Sequence, residues 1–327
     1  MKTDSYSQRM TNVSNALQAA GEEQHKSNDI KCCIVFQAYG RETLYKQVVF
    51  SILTLYYHLN GDFEGIKCVI YTDNSQLFTR VLKNVPLETI LLSKKDIAEY
   101  KGPASFVHRL KICILTDCMA KYGTDILYLD GDTYFTKSPR QLLDKISVQT
   151  SMMHTREYDM SDGGDYEETS WVTARKVIRE NEFTLSNRTF KIPFSATMWN
   201  AGVLGIAHEN AHLLEQVLSL SDQLYSKAAF FSAEQFSFSY ILNSNTSLIA
   251  ADDTIFHYWS NNGKLLFDHH LKDFFKENKN LPVEVLAQKS QELIERKNEL
   301  VIPEPTVLKK LTHRLRLIAI VTLRGRL

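Results

Sequence analysis

The chain has 327 residues, enough to bury a sizeable core in one large domain or two modest ones. Its 38 basic residues balance 38 acidic ones, 44% of it is hydrophobic and 23% charged, so nothing global points to nucleic acid as a partner. Five cysteines, Cys32, Cys33, Cys68, Cys113 and Cys118, form an odd set without paired metal spacing, which predicts buried structural thiols in a reducing, cytoplasmic setting.

The first thirty residues lack the uninterrupted apolar core of a secretory signal and read as a polar tail. From Lys31 short apolar runs alternate with longer helical stretches. CCIVFQAY reads as a buried strand, and ETLYKQVVFSILTLYYHL as a helix with Leu44, Val48, Ile52, Leu55 and Leu59 along one face. KCVIYTD is the next strand, SQLFTRVLKNV the next helix and ETILL a third strand. SFVHRLKICILTDCMAKYG then reads as a helix stopped by Gly123, and DILYLDGD as a fourth strand. This alternation predicts an α/β domain with a mainly parallel central sheet flanked by helices, whose ligands sit beyond the carboxyl ends of the strands.

Past SPRQLL the pattern becomes irregular, and HTREYDMSDGGDYEETS reads as a polar, mobile loop. Order returns at ATMWNAGVLGI. Helical periodicity runs from Glu209 to about Ser226 and through AEQFSFSYIL, with strand-like SLIAA and DTIFHYW between and after. The expected organisation is a tail over 1–30, a catalytic domain over 31–270 and a helical, basic C-terminal extension over 271–327.

The chemistry concentrates in ILYLDGDTYF, where Asp130 and Asp132 leave the apolar strand at the edge where a site is expected. Gly131 between them lets two carboxylates approach one hard cation. Mg²⁺ or Mn²⁺ suits such oxygen donors and shares its remaining positions with water and phosphate oxygens. A plain polar turn after a buried strand is the competing reading.

In its surroundings the segment resembles the Asp-x-Asp motif of nucleotide-sugar-dependent glycosyltransferases with the GT-A fold, especially the glycogenin and lipopolysaccharide-galactosyltransferase group. Other segments agree in order from Ile34 to Lys264. VFQAYG resembles the nucleotide-base pocket, which implies donor contacts from Ala38, Tyr39 and Gly40. HRLKI resembles the helix whose Arg, here Arg109, meets the sugar nucleotide. WNAGVLG resembles the Asn-x-Gly-Val segment beneath the donor sugar, implying roles for Asn200, Ala201 and Gly202. AEQFSFSYIL resembles the acidic-Gln pair near the reacting sugar, here Glu234 and Gln235. FHYWSNNGK resembles the segment that offers a metal-binding His, here His257, and a diphosphate-binding Lys, here Lys264. Two departures are visible: the pair is Glu-Gln where relatives often have Asp-Gln, and a Lys-Pro-Trp ending is missing.

The resemblance implies an enzyme that moves a sugar from a nucleoside-diphosphate donor, UDP foremost, to a glycan or lipid-linked acceptor. A divalent cation held by Asp130, Asp132 and His257 would neutralise the leaving diphosphate. On the residues alone, His257 also fits a packed core histidine, Arg109 and Lys111 a solvated helix face, Glu234 an ordinary helix-start acid, and Tyr39 mere packing. The main rival activity is a Mg²⁺-dependent phosphohydrolase of the haloacid-dehalogenase kind using Asp130 and Asp132, with IAADDT as its second acidic motif. Against it, those acids normally follow the first strand. A sugar-nucleotide synthesising enzyme would need a Gly-rich phosphate loop after the first strand, which is missing here, and a non-catalytic binding module is a third possibility.

No run approaches the roughly 20 apolar residues that cross a bilayer. Lys309 to Leu327 carries six Lys or Arg and no acid among leucines and isoleucines, which predicts either a packed terminal helix or peripheral contact with an anionic membrane.

Overall fold

The computed structural model describes residues 30–161 and 169–296. Residues 1–29 of the polar tail expected over 1–30, and the basic segment Lys309–Leu327, lie outside the described residues.

Strands β1 (Cys32–Ala38), β2 (Ile66–Thr72), β3 (Leu87–Leu91) and β4 (Asp125–Leu129) pair in parallel, as the alternation predicts. The helices between them are α1 (Glu42–His58), α2 (Ser75–Val81), α3 (Lys94–Lys101) and α4 (Arg109–Tyr122). Gly123 takes a left-handed φ of 59° and closes α4 by donating to Met119 O at 3.0 Å. After β4 come β5 (Thr133–Phe135), α5 (Arg140–Leu143), β6 (Thr150–Met153), β7 (Arg156–Asp159), α6 (Thr169–Glu180), β8 (Phe183–Leu185), β9 (Arg188–Phe190), β10 (Thr197–Trp199) and β11 (Val203–Ile206). The described chain ends with α7 (Leu213–Ala228), α8 (Ala233–Asn245), β12 (Ser247–Ala250), β13 (Ile255–His257), α9 (Asn261–Glu277) and α10 (Val283–Glu295).

The central sheet runs β12-β6-β11-β4-β1-β2-β3, and β11 alone opposes the others. Successive β1 residues alternate between two apolar layers, Cys33 and Val35 on one face, Cys32, Ile34 and Phe36 on the other. Burial on both faces explains why these strands read as continuous apolar runs. One layer carries α4, α7 and α8, the other α1, α9 and α10.

Three features depart from expectation. α1 is buried well beyond its predicted stripe, because Phe50 on its outer side meets Phe267 and Phe274 of α9 edge-on at 6.4 and 5.7 Å. The expected boundary at 270 therefore falls inside α9, and both α9 and α10 belong to the core. The stretch read as a mobile loop begins with β7, which pairs antiparallel with β10; residues 162–168 of that stretch lie outside the described residues.

Candidate active site

Three pieces of topology converge at the carboxyl end of β4. β11 is antiparallel to β4, so its start meets β4's end: Val203 faces Leu129, and Asp130 N donates to Gly202 O at 2.8 Å. The short ladder of β5 with β13 sets His257 opposite Thr133, and Tyr258 N donates to Asp132 O at 3.0 Å. β1 is parallel to β4 with Phe36 opposite Leu129, so Ala38, Tyr39 and Gly40 emerge at the same edge. Between the two acids the chain runs tight against α1, where a Cβ on Gly131 would lie 3.3 Å from Val48 Cγ2.

Asp130, Asp132 and His257 each offer a ligand atom, all within 4.8 Å of one another. His257 Nε2 lies 3.4 Å from Asp132 Oδ1. The other ring nitrogen, Nδ1, is 2.9 Å from Asn200 Oδ1, which also accepts from Gly202 N at 2.9 Å. Asn200 Nδ2 donates to Glu157 Oε1 at 3.0 Å, so the amide orientation is fixed by three partners. An acceptor oxygen facing Nδ1 requires the proton there, which leaves the Nε2 lone pair of the neutral ring aimed at the carboxylates. Lone pairs from an imidazole and two carboxylates converge with no proton of the neutral ring between them, the donor set of a divalent cation site. Gly202 makes the cradle possible, since a Cβ there would sit 2.2 Å from His257 Cε1 and Nδ1.

The charge around the cluster comes from two lysines. Lys111 Nζ lies 3.3 Å from Asp130 Oδ1 and 3.1 Å from Glu234 Oε1, and donates to Ala201 O at 3.0 Å. Burial works to lower its pKa, but Asp130 and Glu234 outweigh this and raise it. Burial lifts the Glu234 carboxyl to about 7 although Lys111 pulls the other way. Asp130 also accepts from Tyr128 Oη at 2.7 Å. On the far side Lys264 Nζ sits 2.7 Å from Asp132 Oδ2. Burial would raise the Asp132 carboxyl, yet a proton on His257 Nε2 and the Lys264 ammonium would hold it well below the usual carboxylate range, and a bound cation would take the place of that proton.

Most of the residues expected from sequence share this edge. Glu234 and Gln235 begin α8 and diverge: Glu234 faces Lys111, whereas Gln235 accepts from Ala201 N at 3.2 Å and donates to Glu157 Oε2 at 3.0 Å. Gly40, at φ 79°, donates to Tyr45 Oη and to Asp73 Oδ2 at 3.0 and 3.1 Å, and the Tyr39 ring is half-buried with Lys101 Nζ 5.8 Å from its centre. Arg109 is not brought to the cluster. Its Nε donates to Asp222 Oδ1 at 2.9 Å and its Nη1 to Tyr100 O at 2.9 Å, and a Cβ on Gly102 would press on it at 3.1 Å. Neither lysine nor arginine of HRLKI is a solvated face; both are buried. Residues two apart on a helix point to nearly opposite sides, so only one cation of that segment can reach the acids, and it is Lys111.

Glu157 is not among the residues to which the sequence points. The β7–β10 ladder pairs Tyr158 with Met198 and Arg156 with Trp199, slipping at Glu157, and such irregularities re-aim a side chain. No local signal in REYD marks it. The second acidic motif weighed for a phosphohydrolase does not join the cluster, since Asp253 turns outward to Lys137 at 2.9 Å.

No protein-family model and no curated protein matches the chain. Among solved structures it is similar to the galactosyltransferase LgtC in complex with donor and acceptor sugar analogues, with a TM-score of 0.45 and 12% identity over 76% of this chain and 97% of that one. An active-site variant of LgtC gives a TM-score of 0.44 at 13% identity, over 76% and 97%. A glycosyltransferase that glycosylates the major capsid of PBCV-1 gives 0.41 at 14% identity, over 74% and 99%.

Proposed function

We propose that the protein is a metal-dependent glycosyltransferase that takes a sugar from a nucleoside-diphosphate donor, a UDP-sugar foremost, and delivers it to a glycan or lipid-linked acceptor. The observation that carries the reading is the convergence of Asp130, Asp132 and the Nε2 lone pair of His257 at the carboxyl end of a parallel strand. A Mn²⁺ or Mg²⁺ ion held there would act as a Lewis acid toward the departing diphosphate.

The chain's own groups complete the chemistry. Lys264, with its side chain 46% exposed, can leave Asp132 and reach a phosphate oxygen, whereas Lys111, at 4%, stays under Asp130 as fixed positive charge. Ala38, Tyr39 and Gly40 stand at the same edge, where the ring and backbone groups suit a base. Asn200, Ala201 and Gly202 form the floor next to the acids, with Gln235 tied to it. Inversion needs a carboxylate free to take a proton from the incoming hydroxyl. Glu234 is buried against Lys111, which favours retention, with Gln235 as the polar group on the sugar's far face.

The test is a screen of UDP and GDP sugars for Mn²⁺-dependent donor hydrolysis, run beside a generic phosphatase substrate. Turnover of one sugar nucleotide that disappears in Asp132→Asn is expected. Phosphate release from the generic substrate, abolished in Asp130→Ala with no sugar-nucleotide turnover, would favour the phosphohydrolase instead.

A further inference from the structure

A cavity of about 550 Å³ opens between the start of α1, α2, the end of α9 and the turn into α10. Lys46, Arg80, Lys272, Lys276 and Lys279 ring it. Among the described residues the only carboxylate in its wall is Glu42, which Lys46 already meets at 2.9 Å. Among the described residues Arg80, Lys272, Lys276 and Lys279 form no ion pair. Five cations gathered around one described carboxylate repel, and an anion seated among them relieves that repulsion.

The floor is of the opposite character. Val49 and Leu286 are buried in the core layer, and Leu77, Val81, Phe275 and Leu281 pack onto it from the cavity wall. Among the described residues no Ser or Thr hydroxyl lines the space, so a free phosphate would meet cations and hydrocarbon there without the hydroxyl donors that usually complete its shell. A charged head on an apolar stem matches both layers. The cavity also starts at Glu42, just past Gly40, on the sheet edge that carries the candidate active site.

We propose that this cleft seats the phosphate head group of an anionic membrane phospholipid, with the first methylenes of its chains against the apolar floor. Docking there brings the edge of the sheet that bears Asp130 and Asp132 toward the bilayer. The inference does not depend on the activity proposed above.

The test is co-sedimentation of the full chain with vesicles of phosphatidylcholine alone or mixed with phosphatidylglycerol. The full chain is expected to bind only the mixed vesicles. Arg80→Glu/Lys276→Glu, both at exposed positions, should weaken that binding at least about tenfold while leaving the melting temperature unchanged. Arg188→Glu/Lys191→Glu on and beside the β8–β9 hairpin carries the same charge change and should bind as the unaltered chain does. Equal losses in both double variants, or binding within twofold of the unaltered chain in the first, would overturn the proposal. So would full displacement from the vesicles by millimolar glycerol 3-phosphate, which would make the cleft a site for a soluble phosphate.

Discussion

Asp130 and Asp132 are one residue apart, yet the two sides of the site neutralise them by different means. On the α4–α8 side Asp130 meets Lys111, whose side chain is 4% exposed and anchored at once by Glu234 and Ala201 O. On the β13–α9 side Asp132 meets Lys264, which is 46% exposed, and a histidine held by an amide. A buried, multiply bonded charge is permanent scaffolding, whereas a half-exposed lysine on a flexible stem exchanges partners cheaply. The cluster thus has a fixed half and an adjustable half, and the proposed cation and diphosphate would meet the adjustable one.

The largest effect should follow from Gly202→Ala. The added Cβ would overlap His257, so the ring must leave, and metal-dependent donor turnover should fall by at least about a hundredfold. A variant with unaltered Mn²⁺ affinity would show that His257 does not need this cradle. Next comes the contrast between the two lysines. Lys111→Met strands buried carboxylates and should cost about 3 kcal/mol in denaturant unfolding. Lys264→Met should cost less than about 1 kcal/mol because its pair is partly solvated, while raising the Michaelis constant for the donor. Equal stability losses would erase the distinction between the two sides.

Glu157→Gln sharpens it further. A glutamine can accept from only one of the two amides that Glu157 now orients, so the other must turn. Turning Asn200 would forfeit its bonds to Gly202 N and His257, whereas turning Gln235 forfeits only a 3.2 Å bond to Ala201 N. Gln235 is therefore expected to flip. Donor turnover should drop roughly tenfold to a hundredfold while Mn²⁺ affinity stays nearly constant. Loss of Mn²⁺ affinity would show that Asn200 flips instead.

The smallest net effect is in the pH dependence of stability, where histidine and carboxyl titrations oppose one another. Burial first, then nearby Lys111 for one and His257 for the other, pushes His108 and His154 down to about 4. Each binds a proton more readily when unfolded, so the stability they contribute is complete above about 6.5 and declines as pH falls toward 4, by roughly 2 kcal/mol apiece. Glu234 runs the other way: its raised pKa contributes stability at low pH that fades as pH climbs to about 7. The melting temperature should thus fall between pH 7 and 4.5, more steeply in Glu234→Gln and less in a His108→Asn/His154→Asn double variant.

Much of the first half was legible because its elements carry their own signals, from the apolar run of β1 to the glycine that stops α4. α3 carries little signal: although Ser93 and Asp96 form a capping box at its start, KKDIAEYK buries no residue and shows no apolar stripe. β7 offers only Tyr158 to the core and exists because β10 lies beside it. At the site, the two acids stood out by composition and position. Choosing Lys111 over Arg109 required knowing which side of α4 faces β4, and finding Glu157 required contacts with residues more than forty positions away, set only by the folded chain.

The most direct test of the central claim is a titration of the full chain with Mn²⁺ in the presence of UDP, followed by the loss of the free-ion electron paramagnetic resonance signal. One ion bound per chain, with binding abolished in Asp130→Asn/Asp132→Asn, is the predicted result. A double variant that binds the ion as tightly as the unaltered chain would contradict it.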